Sequence, residues 1–61
     1  MPTSIAPRDP DIAVHEELDM ARRKGTIAAY DLFLARHPDH ALAQVARRER
    51  EALARRQGPA R

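Results

Sequence analysis

Apolar residues recur along this chain at helical spacing. Val14, Leu18 and Ala21 fall at i, i+4 and i+7, the narrow stripe of a helix with one buried face. Asp9 precedes Pro10, so Asp9 can cap that helix with the proline at its first position, where a missing N–H is harmless. Acids (Asp11, Glu16, Glu17) crowd its start and cations (Arg22, Arg23, Lys24) its end, which complements the helix dipole. Gly25 stops it. Thr26 can cap a second helix, on which Ile27, Tyr30, Phe33 and Leu34 share a face; Pro38 ends it. A third helix is expected from His40 to about Gln57, capped by Asp39 and stopped by Gly58-Pro59. Its apolar-leaning face is Leu42, Ala46, Glu49 and Leu53, with Ala43 and Val45 beside it. No strand alternation is present.

The pattern predicts an all-α fold of three short helices. Short connections at Gly25 and Pro38 make neighbours antiparallel. Residues 1–10 hold Pro2, Pro7 and Pro10 and little apolar content, reading as a disordered leader. Residues 11–57 form the helical module and residues 58–61 a disordered tail. Tyr30, Phe33 and Leu34 are the expected core, with Ala43 and Ala46 allowing close approach of the third helix.

Length changes what this core can do. The chain has 61 residues, and domains of that size are marginal. A partner or a second copy is therefore expected to complete the buried surface. Val14, Leu18 and Leu53 are the candidate apolar contacts, with Arg47 and Arg50 steering an acidic partner. There is no cysteine, hence no disulfide or thiolate metal site. No apolar run approaches the ~18 residues of a membrane span, and the N-terminus lacks a signal-peptide layout. The expectation is a cytoplasmic protein away from membranes.

Net charge is +2, concentrated at the end: residues 47–61 carry six arginines against Glu49 and Glu51. A basic helix raises nucleic-acid binding as the alternative function. Arg47, Arg48, Arg50, Arg55 and Arg56 are interrupted by acids, and no aromatic interleaves for base stacking. Other chemistry has less support. His37 and His40 lie three apart across a proline turn, short of the ligand number zinc needs. Thr3, Ser4 and Thr26 are leader or cap residues, so no nucleophile is in place. Asp11, Glu16, Glu17 and Asp19 read as a solvated helix start. No enzyme activity, cofactor, metal or small-molecule substrate is expected.

From Ala21 to Ala46 the chain reads Ala21-Arg-Arg-Lys-Gly25-Thr26-Ile-Ala-Ala-Tyr30-Asp-Leu-Phe33-Leu34-Ala-Arg-His-Pro38-Asp39-His-Ala-Leu-Ala43-Gln-Val-Ala46. This resembles the tetratricopeptide-like helical hairpins of bacterial proteins, with Tyr30, Phe33, Leu34, Pro38, Ala43 and Ala46 where that pattern places them. The resemblance implies a binding or assembly scaffold without chemistry of its own: a self-associating adaptor, or an accessory or regulatory subunit, including one that acts on a catalytic partner. It covers one hairpin and a little more, whereas repeat proteins stack at least about three units.

Overall fold

The computed structural model describes residues 9–57. Three helices follow one another: α1 (Pro10–Lys24), α2 (Ile27–Arg36) and α3 (Ala41–Arg56). No strand occurs among the described residues. Residues 1–8 of the expected leader and the expected tail, 58–61, lie outside them. Pro10 belongs to α1 rather than to a leader.

Local chemistry sets the ends. The Asp9 carboxylate accepts from the Asp11 amide at 2.9 Å, with Pro10 opening the helix. Gly25 closes α1 in the left-handed region at φ 63°, and its N–H donates to the Ala21 carbonyl. A side chain there would be strained. The Thr26 hydroxyl accepts from the Ala29 amide at 3.1 Å.

The third cap differs from expectation. His40, not Asp39, caps α3, and the helix begins at Ala41. The His40 Nδ1 accepts from the Leu42 amide at 2.9 Å, while Nε2 lies 2.8 Å from an Asp11 oxygen on α1. With Nδ1 as acceptor, the ring proton sits on Nε2 and donates to Asp11. One imidazole thus caps α3 and ties it to the start of α1.

Cross-helix pairs give the directions. Glu17, near the middle of α1, meets Arg36 and His37 at the end of α2, so these two helices are antiparallel. Asp31 of α2 pairs with Arg50 in the later half of α3, so these are antiparallel too. Asp11 meets His40 and Arg22 meets Glu49, so α1 and α3 run in the same direction.

All three helices contribute to the core of Val14, Leu18, Ala21, Tyr30, Phe33, Ala43 and Ala46. Leu34, Leu42, Val45 and Leu53 are half-buried against it. Ala43 and Ala46 are 1% and 0% exposed; with only a methyl each, they let α3 approach α2 closely. Leu18, at 1%, is the largest fully buried side chain.

This placement corrects the expectation for α1. Val14 and Leu18 do not face a partner; they are core residues of the chain itself. The expectation left open whether the first two or the last two helices form the hairpin, and turned the α1 stripe outward because a lone hairpin cannot cover both faces. In the structure α1 folds back onto both, and its stripe closes the core.

Candidate functional site

Polar side chains stitch the outside of the three helices together. Glu49 sits on the apolar-leaning face of α3 at the junction. It receives Nε and Nη2 of Arg22 at 2.9 and 2.7 Å and the Tyr30 hydroxyl at 3.1 Å. The Arg22 fork holds the Glu49 carboxyl below its ordinary value, outweighing the opposing push from burial, and the Tyr30 hydroxyl lowers it further. Burial raises the Tyr30 phenol, and its bond to the Glu49 carboxylate raises it further. Arg22 also reaches Asp19 at 3.1 Å. On the other edge, the hydrogen bond with His37 draws the Glu17 carboxyl down, helped by Arg36.

Three of the arginines singled out in the sequence, Arg47, Arg50 and Arg55, are occupied within the chain. Arg50 forks onto Asp31. Arg47 donates to the Pro38 carbonyl at 3.3 Å. Arg55 pairs with Glu51 one turn away at 3.0 Å. Leu53 is half-buried against the core rather than presented outward. The candidate contacts Val14, Leu18, Leu53, Arg47 and Arg50 therefore do not assemble into one exposed surface. Carboxylates neutralise Arg22, Arg36, Arg50 and Arg55, which breaks up a continuous cationic stripe of the kind phosphate binding uses.

The surface that stands open lies elsewhere. Glu17, Met20, Ala21 and Lys24 of α1 and Ala29, Leu32, Phe33 and Arg36 of α2 line a groove of about 300 Å³. The tight turn at Gly25 holds these helices side by side, and α3 packs elsewhere against them. Met20 and Leu32 stand at the rim, 54% and 51% exposed. Ala21 and Phe33, both buried, lie at its base, where small alanines leave the space between the rims. Two large apolar side chains flanking a concave apolar base is a geometry that accepts another apolar helix surface.

Sequence reasoning missed this groove because it assigned Met20 and Leu32 to no face. The signal was present as two matching sets: 17, 20, 21, 24 and 29, 32, 33, 36 each follow i, i+3, i+4, i+7. No helix among the described residues is long and apolar enough to cross a membrane. No protein-family model matches the chain, and no curated protein or solved structure is significantly similar to it.

Proposed function

We propose that this chain is a small, non-enzymatic protein–protein interaction module: a tetratricopeptide-like helical hairpin with one further helix, which docks an apolar helical surface in the α1–α2 groove. The observation that carries this reading is the exposure of Met20 and Leu32 on either side of an apolar base. Each is about half exposed, so covering it would release roughly 0.8–1.5 kcal/mol, half the gain for a fully exposed side chain. In a stacked helical array such a face meets the next helix pair, which fits the resemblance of residues 21–46 to a single repeat. The occupied arginines make the basic α3 a weaker candidate for the binding face.

The test is a photo-crosslinking amino acid placed at position 32 and, as control, at exposed position 48 on α3, in cells that make the protein. A discrete polypeptide adduct from position 32 and none from position 48 is expected. No adduct, or equal adducts from both, would overturn the reading.

A further inference from the structure

The groove is self-complementary, and we infer that its occupant is a second copy of this chain, docked groove to groove with α1 antiparallel to α1 of its partner. The inference rests on the docking reading above and names the partner. It follows from the register of the lining. On α1 the acid Glu17 and the cation Lys24 stand equally far on either side of the point between Met20 and Ala21. On α2, Ala29 and Arg36 stand equally far on either side of the point between Leu32 and Phe33. Because Glu17 pairs with Arg36 across the antiparallel helices, these two midpoints lie beside each other. A two-fold axis through both, across the helices and in the plane of the face, sets Met20 of one copy over Ala21 of the other and Leu32 over Phe33, so that each rim side chain meets the base of the facing groove.

The same operation sets Glu17 against Lys24 of the second copy, twice, and Arg36 against the small Ala29. At each end two cations, Arg36 of one copy and Lys24 of the other, then share the Glu17 carboxylate, one on each oxygen, in an isologous arrangement that the two-fold repeats. Lys24 and one oxygen of Glu17 remain open to this pairing. Lys24 has no ion-pair or hydrogen-bond partner among the described residues. Arg36 and His37 both bond Glu17 through Oε1, at 3.5 and 3.0 Å, which leaves Oε2 without a partner among them. A lysine arriving at Oε2 would complete that carboxylate. Covering the groove also addresses the limited core of a chain this short.

The experiment is sedimentation equilibrium of the full chain from micromolar to millimolar, with helicity followed by circular dichroism. A monomer–dimer equilibrium is expected. Lys24→Glu turns both intersubunit attractions into repulsions and should raise the dimer Kd roughly tenfold, since each exposed pair is worth a few tenths to one kcal/mol. Leu32→Asp should abolish the dimer while the monomer keeps its helicity. As a second readout that does not depend on affinity, Met20→Cys next to the two-fold should yield a disulfide-linked dimer under mild oxidation, and Arg48→Cys should not. A helical chain that stays monomeric at millimolar concentration overturns the inference, as does a dimer indifferent to both Lys24→Glu and Leu32→Asp. If that monomer still gives an adduct with a different polypeptide from position 32, the second copy is ruled out and the docking reading survives. If it gives none, both fall.

Discussion

Replacing Glu49 with alanine removes a side chain of α3 that bonds to both other helices. Two Arg22 bonds and the Tyr30 bond are lost together. The two parts differ in weight. The Arg22 side chain is 45% exposed and that of Glu49 31%, so water screens the ion pair and it contributes about 0.5 kcal/mol. Tyr30 is 6% exposed. Its hydroxyl would lose the acceptor that satisfies it, at about 1 kcal/mol after partial access to water. The expected destabilisation is about 1.5 kcal/mol. For a domain of this size that lowers Tm by roughly 6–12 °C. Thermal and urea unfolding followed by circular dichroism, at one fixed protein concentration, would measure it. Tyr30→Phe should recover most of the hydroxyl part when combined with Glu49→Ala, giving a coupling of about 1 kcal/mol in a double-mutant cycle. Strict additivity would refute the claim that the two side chains share a bond. pH supplies an independent check. The folded state holds the Glu49 carboxyl below its ordinary value, so its contribution is present above the unfolded pKa of about 4.5 and is lost as pH falls through the lower folded value. Tyr30 has the opposite sign: its raised pKa means stability complete below about pH 10 and declining as pH rises through the folded value. Glu49→Gln should flatten the acid limb attributed to Glu49, while Glu17, also drawn down, leaves a residual slope.

Three further outcomes are expected. Leu18→Ala should cost about 2–5 kcal/mol by opening a cavity at the fully buried centre, read as a loss of helicity at every protein concentration; a folded, merely monomeric variant would place Leu18 at an interface instead. Gly25→Ala should cost about 1–2 kcal/mol, because a Cβ is strained at φ 63°, and an unchanged urea midpoint would contradict the left-handed cap. His40→Ala should lower stability by about 1 kcal/mol or more through the lost cap and the lost Asp11 bridge, while His40→Asn, which retains a capping oxygen, should recover the cap share; equal stabilities of the two variants would remove the cap from the account.

The helices of this protein are legible in its sequence because the signals that bound them are local. Asp9 before Pro10, Gly25, and Thr26 three residues before Ala29 each act within one turn of backbone, and the apolar spacing of Tyr30 and Phe33 needs no distant information. His40 escaped that logic by one residue. Asp39 is the stronger cap by residue type, but the bond from His40 to Asp11 crosses 29 residues of sequence and fixes the imidazole where it can take the role. Glu49 was visible as an acid among Leu42, Ala46 and Leu53, yet its partners lie on two other helices. The larger decision was what covers each apolar face. A stripe such as Val14, Leu18 and Ala21 looks the same whether it meets another chain or its own, since hydrophobic burial is non-directional. Only the return of α1 across both α2 and α3 placed that stripe inside. That same packing used one side of the α1–α2 pair and left Met20 and Leu32 outside on the other.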